Sequence, residues 1–241
     1  MRYAVLSDIH GNLESLETAL GFLGETDEIL CLGDVVGYGP NPNECVAIVR
    51  SRAGVTVLGN HDVAAIDNFG LAYFNPAARA AMEWTQSVLL PEHHAWLNTL
   101  GYEFRRPDYL LVHGAPVNYF EYILDRAGAA RAFAATDAPL IFVGHTHLAG
   151  YYALRPDGTI EGRSMQQGGT FSLDEGSRYV VNVGSIGQPR DLNPQASFGL
   201  YDPAARTIQI VRYDYPIARV QEKIAAVHLP EALARRLEVG R

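Results

Sequence analysis

Residues 2–24 read RYAVLSDIHGNLESLETALGFLG. The run from Tyr3 to Leu6 is apolar, partly β-branched, and stops abruptly at polar groups, the pattern of a short buried strand. Beyond it Leu13, Leu16, Leu20 and Leu23 recur at three- and four-residue steps and share one helix face, with Asn12 placed to cap the start and Gly24 to close the end. The alternation continues through a second strand in EILCLGD (28–34), a second helix in PNECVAIVRSRAG (42–54) with Pro42 in its first turn, and a third strand in VTVLGNHD (55–62). A βαβαβ opening predicts a parallel sheet covered by helices.

Working outward, residues 62–100 are helical in composition. Their clearest helix is AARAAMEWTQSVLL (77–90), started by Asn75 and Pro76 and stopped by Pro91. DYLLVHG (108–114) and PLIFVGHTH (139–147) read as strands flanking the Ala-rich helix RAGAARAFAAT (126–136). From Gly150 the pattern changes to short alternating runs joined by turn signals such as Pro156-Asp157-Gly158 and Asp202-Pro203, which predicts antiparallel β-structure. The final segment predicts two short helices split by Pro230.

The chain has 241 residues, 48% of them hydrophobic, enough for one sizeable core and a single domain over 1–241. The start has no secretory-leader pattern and no stretch is long enough to span a membrane, so the expectation is a soluble, cytoplasmic protein with no membrane partner. Cys31 and Cys45, the two cysteines, lack disulfide-framework or thiolate-zinc spacing. A formal charge of -8, with no Lys/Arg run longer than a pair, argues against nucleic acid as a partner. Low charge density and the apolar residues of the β-rich half are compatible with a homodimer.

Five strand-to-loop junctions end in residues able to hold metal: Asp8 and His10, Asp34, Asn60 with His61 and Asp62, His113, and His145 with His147. In an open α/β sheet such groups converge outside the carboxyl ends of the strands. Singly, each residue reads as a turn, a cap or a satisfied structural histidine. Jointly they do not, because capping calls neither for imidazoles after two separate apolar strands nor for the His-x-His pair at 145 and 147.

The strings DIHGN (8–12), GDVVGYG (33–39), GNHD (59–62), VHG (112–114) and GHTH (144–147) resemble, in order, the signature of the calcineurin-like metallophosphoesterases. NVGSIGQPRD (182–191) is similar to a segment of that family's small bacterial and archaeal phosphodiesterase-like branch. The resemblance implies an α/β (α+β) fold of two mixed β-sheets sandwiched between helices, a four-layer α/β/β/α arrangement. It further implies two divalent ions, one on Asp8, His10, Asp34 and His147, the other on Asp34, Asn60, His113 and His145, with Asp34 bridging. Carboxylate, amide oxygen and imidazole without thiolate suit manganese first, with iron, zinc, cobalt or nickel as alternatives. Two such ions about 4 Å apart would activate a shared water as a bridging hydroxide for in-line attack on phosphorus. His61 is where the family places a proton donor or phosphate contact; Asp62 is the second candidate catalytic residue, and Asp62 or Asp67 could orient His61 in place of the family's Asp.

Gly37 and Tyr38 stand where protein phosphatases and diadenosine tetraphosphatases carry Asp-Arg, so their phosphate clamp is missing at this place. Arg190 and Tyr38 are the candidate substrate contacts. Arg190 and Asp191 either pair with each other or reach the site. Tyr38, Tyr73, Phe74 and Tyr119 either stack on a base or aryl group or pack as rim. His93, His94 and His228 lack a motif and read as surface. The expected function is hydrolysis of a small phosphoester, diester or nucleotide. Phosphomonoesterase or Ser/Thr protein phosphatase-like activity, nuclease activity and a non-catalytic protein-binding scaffold are the rivals; the scaffold is disfavoured because His61 and all seven ligand positions are present.

Overall fold

The computed structural model describes residues 2–24 and 28–241. In chain order the strands are β1 (Tyr3–Leu6), β2 (Glu28–Cys31), β3 (Ala53–Thr56), β4 (Glu103–Arg105), β5 (Leu110–Val112), β6 (Leu140–Val143), β7 (Gly150–Leu154), β8 (Ile160–Ser164), β9 (Gly169–Ser172), β10 (Arg178–Asn182), β11 (Ala196–Asp202) and β12 (Thr207–Tyr213). The helices are α1 (Leu13–Leu20), α2 (Pro42–Arg52), α3 (Asn60–Asp67), α4 (Pro76–Val88), α5 (Pro91–Leu97), α6 (Arg126–Ala135), α7 (Ile217–Ala226) and α8 (Glu231–Arg235).

Caps act where the residue types place them. The side chain of Asn12 accepts from the Ser15 N–H, Asn75 from Ala78, and Asp125 from Gly128. α1 ends at Leu20 rather than running to Gly24, although Leu23 still packs against the core. The GNHD segment does not continue β3. Gly59 is the N-cap of α3 and the carboxylate of Asp62, at the third helical position, accepts the Gly59 N–H, so polar capping residues end the strand. β4 and β9 escape sequence patterning because both are largely exposed and show no apolar alternation.

One sheet has the order β3-β2-β1-β11-β12-β9 and the other β4-β5-β6-β10-β7-β8. β1, β2 and β3 are parallel as expected, while β11 joins β1 antiparallel. The second half is not wholly antiparallel, since β10 runs parallel to β6 with Val181 opposite Phe142. β10 is buried on both faces, which is why it reads as a continuous apolar run rather than an alternating one.

Period-two alternation sorts each strand between layers. Val5, Leu30, Leu111, Phe142 and Val181 point into the space between the sheets. Ala4, Leu6, Ile29 and Cys31 face the helical layer that includes α1, α2, α4, α7 and α8. Leu110, Val112, Ile141 and Val180 face α6. The result is two mixed sheets between helical layers. Among the described residues no helix is long and apolar enough to cross a membrane.

Phe142, fully buried between the sheets, touches both through Tyr109 and Tyr201. Phe142→Ala is expected to destabilise the protein by about 3–5 kcal/mol, read as a lowered chemical-denaturation midpoint with an unchanged slope.

Candidate metal centre

The carboxyl ends of β1, β2, β5 and β6 and the start of α3 meet on one side of the paired sheets. Ligand-type atoms of Asp8, His10, Asp34 and His147 lie within 4.8 Å of one another, and those of Asp34, His113 and His145 form a second group by the same measure. Asp34 belongs to both. Every one of these residues is buried.

The backbone is bent to achieve this. Asp8, His10, Asp34, His145 and His147 have φ of 53, 49, 53, 64 and 61°, in the left-handed region that non-glycine residues enter at a cost of about 1–3 kcal/mol each. Such conformations persist only where surrounding bonds over-determine them. The Asp8 carboxylate accepts from the Ser7 hydroxyl at 2.6 Å and from the His145 N–H at 3.0 Å. The Asp34 carboxylate accepts the His61 N–H at 2.8 Å.

Each imidazole is oriented by its far nitrogen. His10 Nδ1 lies 3.1 Å from the Val36 carbonyl, His113 Nδ1 2.8 Å from Leu32, His147 Nδ1 2.6 Å from Gln188, and His145 Nε2 2.9 Å from Phe120. Carbonyl oxygens only accept, so the far nitrogens carry the protons and the near nitrogens of neutral rings present lone pairs. Those near nitrogens face one another, His10 Nε2 3.2 Å from His147 Nε2 and His113 Nε2 3.1 Å from His145 Nδ1. Asp34 Oδ2 stands 3.3 Å from His113 Nε2, and Asp8 Oδ1 stands 3.1 Å from His147 Nε2. Lone pairs and carboxylates crowded together in a buried space repel unless a cation lies among them. The side-chain oxygen of Asn60 is likewise buried with no hydrogen-bond partner. The donor set therefore fits divalent metal.

Charge follows the same logic. Burial alone would raise Asp8 and Asp34, but the facing imidazoles, His147 for Asp8 and His113 for Asp34, hold both well below the usual carboxylate range. Burial lowers His10, His147 and His145, the last to about 3. His113 goes the other way, to about 9, because the adjoining Asp34 carboxylate outweighs burial.

His61 rests against the rings of Tyr38, Phe74 and His10, at centroid distances of 4.4, 4.5 and 4.8 Å. Burial, with the Arg190 charge adding to it, lowers His61 to about 4. Its Nδ1 is buried without a partner, and a Cβ on Gly37, whose φ is +87°, would fall 2.4 Å from that atom. Neither expected orienting carboxylate reaches the ring. Asp62 spends both oxygens on the N–H groups of Asp34, Val35, Val36 and Gly59, and Asp67 accepts from Phe69 at an exposed turn. Asp62 is therefore a positioning residue that shapes the turn bearing Asp34, rather than the companion of His61.

Arg190 does not pair with Asp191, which bonds Arg212 instead. Its guanidinium donates to the Tyr38 hydroxyl at 3.2 Å and to Gln188 Oε1 at 3.0 Å, lies 5.6 Å from the Tyr38 ring centre, and keeps Nε without a partner. A second guanidinium, Arg236, lies 6.0 Å from the same ring. Sequence reasoning missed Arg236, which sits beyond the motifs in a helical tail. It also missed Tyr122, whose ring stacks on His145 at 4.1 Å; that residue belongs to no repeat or motif. Of the other aromatics, Phe74 flanks His61, Tyr73 points into solvent, and Tyr119 stacks on Tyr102. His94 and His228 are exposed, whereas His93 is buried on the inner face of α5 and is not a surface residue.

Asp34→Asn removes the one charge shared by both groups. It is expected to weaken retention of divalent metal at least tenfold, measured as bound divalent metal after dialysis of the folded variant. Wild-type metal content in that variant would contradict a shared Asp34.

The family model for calcineurin-like phosphoesterases matches residues 1–149. An uncharacterised protein of Methanocaldococcus jannaschii is 37% identical over 247 residues, covering 99% of this chain and 98% of that one. The crystal structure of a metallophosphoesterase from Sphaerobacter thermophilus superposes with a TM-score of 0.90 at 40% identity over 100% of both chains. A symmetrical bis(5′-nucleosyl)-tetraphosphatase of Aromatoleum aromaticum is 33% identical over 122 residues, 47% of this chain and 44% of that enzyme. With a cation-demanding Asp/His cluster at the strand ends and relatives of this kind, the chain belongs to the calcineurin-like phosphoesterases and is a metal-dependent phosphoric ester hydrolase.

Proposed function

We propose that this protein hydrolyses a small phosphoester, a diester or nucleotide, at a centre of two divalent ions. Manganese is the first choice of metal. The observation that carries this reading is the set of four inward-turned imidazole nitrogens, grouped in two pairs around Asp34, with the unpartnered Asn60 oxygen beside them. Asp8, His10, Asp34 and His147 would hold one ion and Asp34, Asn60, His113 and His145 the other. Two ions so held would activate water and neutralise the phosphate oxygens.

The protein's own groups do the rest. With His61 lowered to about 4, its ring is neutral near pH 7. As a neutral ring it donates a hydrogen bond to a phosphate or leaving-group oxygen, and it would transfer a proton only after taking one up beside the negative charge of the bound phosphate. Tyr38 and Phe74 fix the plane of the ring. Arg190, held by Tyr38 and Gln188 and with Nε free of protein partners, supplies the cationic contact to phosphate that the second motif lacks. The likeness of 47% of the chain to a bis(5′-nucleosyl)-tetraphosphatase supports a nucleotide over a phosphoprotein, although Gly37 and Tyr38 replace the Asp-Arg of both that enzyme group and the protein phosphatases.

The test is turnover of bis-p-nitrophenyl phosphate and p-nitrophenyl phosphate by metal-stripped protein after addition of manganese. His61→Ala is expected to lower kcat about 100-fold or more with bound metal unchanged. Wild-type turnover in the variant would remove His61 from the mechanism. No turnover of either ester with manganese, iron, cobalt, nickel or zinc, despite bound metal, would overturn the small-phosphoester reading.

A further inference from the structure

A groove of about 690 Å³ lies on the α6 side of the second sheet, beside the metal centre. Three loops build the boundary, and each gives one residue to the centre and the next ones to the groove. After Tyr122, which stacks on His145, come Ile123 and Leu124; after His147 comes Leu148; after Arg190, the Tyr38 partner, comes Leu192. Thr146, between the two ligand histidines, lines the groove as well. The groove therefore begins where the centre ends.

Its walls are apolar and open: Leu124, Leu148 and Leu192 are 60, 37 and 63% exposed. Its charges are unusual for a chain of net charge -8. Arg126 at the start of α6 and Arg163 on β8 both line it, and neither forms an ion pair among the described residues. Two carboxylates line it as well: Asp125 accepts the Gly128 N–H, and Asp191 pairs with Arg212. Two guanidinium groups without an ion-pair partner among the described residues, along an apolar slot with Arg190 at the metal end, match an apolar or aromatic body carrying a negative group of its own. An isolated phosphate would fill little of that volume.

We infer that this groove holds the part of the substrate beyond the scissile phosphate, an aromatic or apolar group bearing a second phosphate that Arg126 and Arg163 bind. The inference rests on the phosphoester reading above and names its substrate class: a phosphoester whose leaving group carries a second phosphate and, beyond it, an apolar or aromatic body.

The test measures binding rather than turnover, so that the two readings can fail separately. Metal-loaded protein is titrated calorimetrically with adenosine 5′-(α,β-methylene)diphosphate, with methylenediphosphonate and with inorganic phosphate. Arg126→Glu/Arg163→Glu, at exposed positions, is expected to raise Kd for the nucleoside probe at least tenfold and for inorganic phosphate less than threefold. The equal charge change Arg50→Glu/Arg52→Glu, on the distant face of α2, is expected to move the nucleoside probe less than threefold. Methylenediphosphonate is expected to bind at least tenfold more weakly than the nucleoside probe. Equal Kd for the nucleoside probe in wild type and the groove variant, or an equal loss in the α2 variant, overturns the arginine assignment. Equal affinity with and without the nucleoside overturns the apolar wall. Arginine-dependent binding in a protein that hydrolyses no ester upholds the groove and sinks the hydrolytic reading instead.

Discussion

The carboxylate of Asp62 is fully buried and accepts four backbone N–H groups, from Asp34, Val35, Val36 and Gly59. A charge placed there is tolerable only because those donors converge on it, and bonds of this kind contribute about 1.5–3 kcal/mol each. They tie the loop after β2 to the start of α3. The loop places Asp34 between the two groups of ligands, and the helix start carries Asn60 and His61. Burial and the neighbouring Asp34 charge push Asp62 up to about 7, while its amide donors pull the other way. This one side chain holds together the two segments that must meet for the centre to exist, and the close approach leaves so little room that a Cβ on Gly59 would fall 2.1 Å from Asp34 Oδ1.

Around that anchor the fold supplies strand ends and the loops supply chemistry. Period-two alternation buries β1, β2, β5, β6 and β10 on both faces, which stiffens the frame from which Asp8, Asp34, His113, His145 and His147 project. The arginine cluster beside His61 is organised differently. Tyr38 stands in the second motif, Arg190 follows β10 and Arg236 follows α8, and only the folded chain brings the three together. Two guanidinium groups from distant segments thus meet on the ring of a second-motif residue.

The Asp/His cluster was legible because its chemistry depends on type and local spacing: a carboxylate or imidazole shortly after an apolar strand, repeated after β1, β2, β5 and β6. The strand-helix opening was legible because its apolar period is short and strong. Contacts between distant segments were not. Nothing in the string around Asp62 distinguishes a carboxylate aimed at an imidazole from one aimed at backbone amides, and only the turn geometry decides it. Arg190 beside Asp191 invites pairing along the chain, yet Arg212 on β12 takes Asp191 because β12 lies closer in space. β4 and β9 left no pattern because edge strands exposed on most of their surface have no apolar face to display.

The inward-turned nitrogens have a consequence for how this chain changes over generations. A cluster whose lone pairs repel in the empty protein makes the apo fold less stable than an apolar plug of the same volume would. Replacing the cluster as a whole by packed hydrophobic residues would relieve that repulsion, so selection for stability alone pulls toward erasing the centre. Persistence of the full set is then maintained by what occupies it, and metal supply in the cell becomes part of the protein's folding environment.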